Sequence, residues 1–304
     1  MQVITNQEIA SLLTIEEAIE VMRQAFASYA QAGAMQQRVR IDAGATKLSM
    51  MGAIVPGIDA VGAKIYTTIN GRFTFAVVLF SARDGSLLAV MEGDAMTEFR
   101  TAAVTALAVD ALARDDAATL AVFGTGVQAK AHIPALLAVR PFSSILVAGI
   151  DRPEMFAREI SNRYGVPARV VTAEEAAATA DVLLTATRSA LPLFDGNRVK
   201  QGAFIAAIGS SKPDAREVDD ALVRRASIVA VEWMEQAKSE AGDLLLCAAD
   251  CLDWAKVVEL GQVIGKGATL RRGRDDIVLY KAIGVGLEDV ALAEFVYRRL
   301  GQRR

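Results

Sequence analysis

Residues 120–129 read Leu-Ala-Val-Phe-Gly-Thr-Gly-Val-Gln-Ala, an apolar run that breaks into the frame G-x-G-x-x-A. Leu120–Phe123 has the all-apolar character of a strand buried on both faces, and the residues after Gly126 suit a helix start. In that reading Gly124 permits the tight turn and Gly126 lets the backbone approach a pyrophosphate. Ala129 lets helix and strand pack closely, with phosphate at the helix N-terminus. Thr125, Val127 and Gln128 complete the candidate loop. Such a frame alone is also met in an ordinary strand-to-helix turn, so its surroundings decide.

Working outward, strand-like runs recur at 119–123, 145–150, 169–172, 181–186, 204–208 and 228–231, separated by helical stretches rich in Ala, Glu and Arg. Six apolar strands with crossover helices predict an α/β fold with a Rossmann-type doubly wound parallel sheet. In that setting the loop reads as a site for a nicotinamide dinucleotide. The second strand runs out into Gly149-Ile150-Asp151-Arg152. Asp151 would accept from the ribose hydroxyl of NAD, whereas Arg152 would favour the phosphate of NADP, and a solvated turn pair is the bland alternative. The sequence leaves NAD or NADP open.

On the N-terminal side the pattern differs. Thr5-x-x-Glu8 and Thr14-x-x-Glu17 fit capping boxes opening two short helices, the second carrying an apolar stripe from Ile15 to Tyr29. From Val39 to Gly93 the period falls to two, and Asp84-Gly85 marks a hairpin turn, which predicts an antiparallel sheet. In 61–69 the alternation sets Lys64, Tyr66 and Thr68 on a polar face opposite Val61, Ile65 and Ile69. Thr97 reads as the N-cap of a helix reaching about Arg114. Arg100 then falls in its first turn, where a cation opposes the helix dipole by about 0.3–1 kcal/mol. Its partner is either Glu98 or Asp94 at the surface or a bound anion. The stretch from Val290 to Leu300 predicts a last amphipathic helix packing back on the N-terminal part. Two domains follow: 1–114 with 287–304, and the dinucleotide-binding 115–286.

The 304 residues hold 33 Lys and Arg against 36 Asp and Glu, a net charge of −3, without the basic excess that a phosphate backbone requires. No apolar run approaches the ~20 residues of a spanning helix, and the first residues lack a secretory signal. Nucleic acid and membrane partners are therefore not expected, and the cytoplasm is. Cys247 and Cys251, spaced C-x3-C, read as small core residues of a reducing compartment. The single histidine, His132, excludes multi-histidine metal centres. Chemistry falls to Lys, Arg, carboxylates or a bound cofactor.

Arg100-Thr101-Ala102-Ala103, the 124–129 loop, residues 208–217 (Ile-Gly-Ser-Ser-Lys-Pro-Asp-Ala-Arg-Glu), Gly242-Asp243 and Gly284-x-Gly286-x-Glu288-Asp289 occur in this order along nearly the whole chain. Together they resemble the ornithine cyclodeaminase and mu-crystallin family. The resemblance implies an N-terminal α+β sheet domain that dimerises and holds substrate, joined to the dinucleotide domain. It implies a homodimer acting on a small amino or imino acid. Arg38, Lys64 and Arg100, with Thr101 beside it, would grip the substrate carboxylate, and Arg40 competes with Arg38. Lys64 and Arg100 are the candidate catalytic residues. Thr187, Ser210 and Val285-Gly286 would line the nicotinamide pocket.

Three departures stand out. Ser211 replaces the Asp that serves cyclodeaminases as acid–base; losing a positioned base costs ~10²–10⁴ in rate, which disfavours cyclodeamination. Gly52, in Met51-Gly52-Ala53, stands where relatives have Pro, and Ala282 where many have Ser. The expected activity is NAD(P)-dependent hydride transfer at the Cα–N bond of a small α-imino or α-amino acid, such as pyrroline-2-carboxylate. Ornithine cyclodeaminase and a non-catalytic, crystallin-like binding protein are the rivals. Phe73, Phe75, Met50 and Met51 form either an apolar substrate wall or core.

Overall fold

The computed structural model describes residues 1–55, 57–266 and 270–302, and its contacts divide into two compact units, Met1–Val104 with Gly284–Arg304, and Thr105–Ile283. Arg303 and Arg304, the end of the expected 287–304 segment, lie outside the described residues.

The first unit begins with β1 (Gln2–Ile4), α1 (Asn6–Leu12) and α2 (Ile15–Ala32). Both helices open on the capping boxes expected from the sequence, with Thr5 and Thr14 accepting from the backbone of Glu8 and Glu17 and each Glu reaching back. Then come β2 (Ala34–Met35), β3 (Val39–Ala43), β4 (Thr46–Val55), β5 (Ala60–Ile69), β6 (Arg72–Ser81), β7 (Leu87–Glu92) and α3 (Asp94–Leu112). The sheet order is β1-β7-β6-β5-β4-β2, with β3 beside β4. The strands within Val39–Gly93 pair antiparallel throughout, as expected, and β1, outside that stretch, joins parallel to β7 and makes the whole sheet mixed.

The unit's last helix, Gly286–Gln302, packs on β4, β5, β6 and α2. Leu287, Val290, Ala291, Leu292 and Ala293 are fully buried on it. At about 1.5–3 kcal/mol for each large apolar side chain removed from water, this face holds the helix on the sheet. It also reverses one expectation. The face carrying Lys64 and Tyr66 is the covered one, while Val61 and Ile65 opposite are half-buried and Ile69 is exposed.

The second unit is an eight-stranded, wholly parallel sheet. Along the chain it runs β8 (Thr119–Phe123), α4 (Val127–Val139), β9 (Ser144–Ala148), α5 (Pro153–Tyr164), β10 (Ala168–Val170), α6 (Ala173–Thr179), β11 (Val182–Thr185) and β12 (Phe204–Ala207). It continues with α7 (Asp220–Arg225), β13 (Ala226–Val231), α8 (Met234–Glu240), α9 (Gly242–Leu245), β14 (Val257–Glu259), α10 (Leu260–Lys266) and β15 (Ile277–Lys281). The spatial order β10-β9-β8-β11-β12-β15-β13-β14 places the switch of winding direction between β8 and β11. The six expected strands are present. The sequence reading missed β14 and β15, and β15 lies inside the sheet between β12 and β13.

Candidate active site

In the first unit Lys64 sits mid-strand on β5, opposite Met51 of β4 and Val77 of β6. It is 1% exposed, and its Nζ donates to Thr97 Oγ1 at 2.6 Å and to Asp289 Oδ1 at 3.0 Å. The Phe75 ring lies 4.3 Å below the ammonium. Thr97 is not an N-cap. The helix starts at Asp94, and the Thr97 hydroxyl donates to Gly93 O, so its oxygen is left to accept from Lys64. Arg100 consequently lies in the second turn of α3, and its ion pairs run to the last helix instead of to the expected surface acids. It meets Glu288 at 2.5 Å and approaches Asp289 at 3.6 Å. These two acids occupy the first turn of the last helix, where the dipole favours a negative charge.

Arg38 joins the same cluster: its Nη2 donates to Gly284 O at 2.8 Å and meets the Met51 sulfur at 3.3 Å. Burial pushes the Lys64 ammonium down to about 8; Asp289 opposes that shift, while Arg100 and Arg38 add to it. Arg38, Lys64 and Arg100 therefore share one electrostatic neighbourhood, in which Lys64 and Arg100 meet the carboxylates of Glu288 and Asp289. Thr101 stands a turn from Thr97, its hydroxyl donating to Thr97 O.

The aromatic side chains sort by strand parity. Phe75 and Phe73 stack 5.6 Å apart on the Lys64 face, with Tyr66 5.2 Å from Phe75. Met51 is buried on that face, whereas Met50 points the other way and is exposed. Gly286 belongs to this unit, where a side chain at its position would strike the backbone of Gly52 at 2.6 Å.

In the second unit the loop after β8 takes the expected form. Gly124 adopts φ 102°, a conformation that favours glycine, and a Cβ there would lie 2.7 Å from Ala186 O. Gly126 is the N-cap residue of α4, has no side-chain cap, and faces open space. No acid occupies the first turn of α4, and the buried Gln128 Oε1 has no hydrogen-bond partner among the described residues. An uncapped, unobstructed helix start of this kind fits a phosphate. Thr125 Oγ1 donates to Asp151 O at 2.8 Å, tying this loop to the end of β9. The Asp151 and Arg152 side chains are both exposed, 3.7 Å apart.

Beyond the ends of β11 and β12, Thr187 donates through N and Oγ1 to Glu217 Oε1, and Ser210 O accepts from Lys281 Nζ at 2.6 Å. Lys281 and Asp243 form a fully buried ion pair at 2.7 Å. Glu217, Asp243 and Lys281 were given no site role in the sequence reading. The apolar run Ile277–Tyr280 ending in a lysine was the local signal for the last of them. Cys247 and Cys251 are free thiols, the second buried. Among the described residues no cluster of His, Cys, Asp and Glu could hold a metal ion, and no helix is long and apolar enough to cross a membrane.

A sequence profile described as the ornithine cyclodeaminase/mu-crystallin family matches residues 1–304. The chain belongs to this family. One relative, a Delta(1)-pyrroline-2-carboxylate reductase of Bacillus cereus, is 32% identical over 270 residues, 84% of this chain and 82% of its own. The structure of a probable ornithine cyclodeaminase from Bordetella pertussis Tohama I matches with TM-score 0.98 at 48% identity, covering 100% of this chain and 98% of that one. The structure of Thermococcus litoralis Delta(1)-pyrroline-2-carboxylate reductase in complex with NADH and L-proline matches with TM-score 0.94 at 26% identity, covering 100% and 98%. These family members carry the names reductase and cyclodeaminase.

Proposed function

We propose that the protein is an NAD(P)-dependent reductase of small α-imino acids, with a cyclic ketimine such as pyrroline-2-carboxylate as substrate. The observation that carries this reading is the convergence of half-buried Arg38 with buried Lys64 and Arg100 in a chain that also has an uncapped phosphate loop at Gly126. Gly124, Thr125, Gly126, Val127 and Gln128 would hold the pyrophosphate, Asp151 and Arg152 the adenosine ribose, and Thr187 and Ser210 would serve the nicotinamide end. The nicotinamide supplies a hydride to the imine carbon when bound.

The chain's own residues supply the rest. Arg38 and Arg100 anchor the substrate carboxylate, each through N–H groups that can act as paired donors, with Thr101 beside them. Lys64 adds the third positive charge and, with its Nζ held by Thr97 and Asp289 and its proton affinity lowered to about 8, delivers a proton to the substrate nitrogen. Phe73, Phe75 and Tyr66 offer an apolar wall to the ring methylenes. Fixing the imine carbon in one orientation supplies much of the rate.

A homodimer accompanies this reading. Val39, Ile41, Leu48, Met50 and Ile69 stand exposed on the sheet face opposite Lys64, a patch that a second copy would cover. Two free thiols fit a cytoplasmic location.

The test is coenzyme oxidation with NADH and with NADPH against pyrroline-2-carboxylate, piperideine-2-carboxylate, iminosuccinate, and pyruvate with ammonia. Consumption with the cyclic ketimines, yielding the amino acid one for one, is expected. The 48% identity to a probable ornithine cyclodeaminase favours the second reading, and Ser211, which offers no base near neutral pH, opposes it. Proline and ammonia from ornithine with no net coenzyme change would decide for the cyclodeaminase. No coenzyme consumption in any arm would leave the binding protein.

A further inference from the structure

We infer that Glu217 is the positioning residue that shapes the nicotinamide end of the coenzyme groove. The inference rests on the reading of the second unit as a nicotinamide dinucleotide domain. In an open parallel sheet, ligands lie outside the carboxyl ends of the strands where the winding reverses, here between β8 and β11. The β8 side presents the phosphate loop, so the far end of the dinucleotide falls to the segments leaving β11 and β12, Ala186-Thr187 and Ile208-Gly209-Ser210.

Glu217 joins those two segments. It is fully buried, and its carboxylate accepts four hydrogen bonds: Oε1 from Thr187 N at 2.8 Å and Thr187 Oγ1 at 2.7 Å, Oε2 from Thr185 Oγ1 and Gly209 N, both at 2.7 Å. Its own backbone is held in turn. Asp243 Oδ1 accepts from Glu217 N at 2.6 Å and Val218 N at 3.0 Å, and Lys281 binds both Asp243 and Ser210 O.

Four donors need a side chain that only accepts. A glutamine of the same shape must turn its NH2 group toward one pair. A hydroxyl in that pair can rotate, but the backbone N–H of Gly209 or of Thr187 cannot. A Cβ on residue 209 would also lie 2.3 Å from Thr187 O, so the two segments touch and the staple between them leaves little slack. Substituting Glu217 therefore displaces Thr187 and Gly209, whereas the hydrogen bonds that tie the loop at Gly124–Gln128 to the end of β9, from Gly124 N to Ala148 O and from Thr125 Oγ1 to Asp151 O, do not involve it.

The experiment measures binding of NADH and of ADP-ribose, which lacks the nicotinamide ring, by calorimetry on the full chain. NADPH and 2′-phospho-ADP-ribose take their place if the phosphorylated coenzyme binds more tightly. In Glu217→Gln the dissociation constant for the dinucleotide rises about tenfold, and that for the truncated probe stays within about twofold. Thr185→Val, which removes one donor with little change in volume, shows the same split at smaller amplitude and serves if the glutamine variant does not fold. Equal losses for both probes, or no loss for either, would overturn the inference. A wild-type protein that binds neither probe would instead refute the proposed function.

Discussion

Lys64 Nζ and Asp289 Oδ1 stand 3.0 Å apart with neither side chain exposed, and the same carboxylate oxygen lies 3.6 Å from Arg100 Nε. The acid is thus shared by two cations, and its other oxygen, Oδ2, has no hydrogen-bond partner among the described residues. Removing one member of such a buried group leaves the remaining charges uncompensated. Asp289→Asn is expected to cost about 3–5 kcal/mol of stability in urea titrations. It also removes the group that raises Lys64, so the alkaline limb of the activity profile should move to lower pH. A limb that stays in place would show that Asp289 does not control Lys64.

The direction of the reaction gives Lys64 opposite signatures. Below about 8 its side chain carries the proton, and above that value the proton is lost. Imine reduction needs the protonated form, so kcat/KM for reduction should fall as pH rises through this range. Oxidation of the amino acid needs the neutral form and should rise across the same interval. If Lys64 only anchors the carboxylate, both directions fall together. Lys64→Met is expected to abolish the limb and lower kcat.

Arg100→Lys keeps a charge but loses the planar fork that can take a carboxylate and Glu288 together. Steady-state kinetics should show KM for the imino acid rising about 10–100-fold, the effect of losing a charge-assisted hydrogen bond of about 1.5–3 kcal/mol. KM for the coenzyme should stay near the wild-type value. A change confined to the coenzyme would remove Arg100 from the substrate clamp.

At the phosphate loop, Gly126→Asp separates folding from binding. The position has φ −80° and open space, so an aspartate fits and caps α4 at least as well as glycine does. Thermal stability should hold or rise slightly, while the added carboxylate repels the pyrophosphate and coenzyme affinity falls about a hundredfold or more. Undiminished coenzyme binding would mean that the phosphates lie elsewhere.

Much of this architecture was legible because its signals are local. The loop at Gly124–Ala129, the boxes at Thr5 and Thr14 and the hairpin at Asp84-Gly85 each lie within a few residues, and each appears as expected. The surroundings of the cations were not legible. Arg100 finds Glu288 at a separation of 188 residues and Lys64 finds Asp289 at 225. Alternation in β5 identifies two faces, but it cannot say which one a distant helix covers. The polar face was buried because the last helix brings the acids that make burial of Lys64 tolerable. Strand β15 was overlooked for a related reason: its place between β12 and β13 is out of chain order, and Lys281 at its end finds its partner Asp243 only in the folded sheet.

The reaction is hydride delivery to the carbon of a carboxylate-anchored imine. Its most direct measurement is mass spectrometry of the proline formed from pyrroline-2-carboxylate with coenzyme deuterated at the transferred C4 position. One deuterium per proline is expected, carried on Cα, with one coenzyme oxidised for each molecule formed. Proline without the label, or labelled coenzyme left unconsumed beside untouched pyrroline-2-carboxylate, would contradict it.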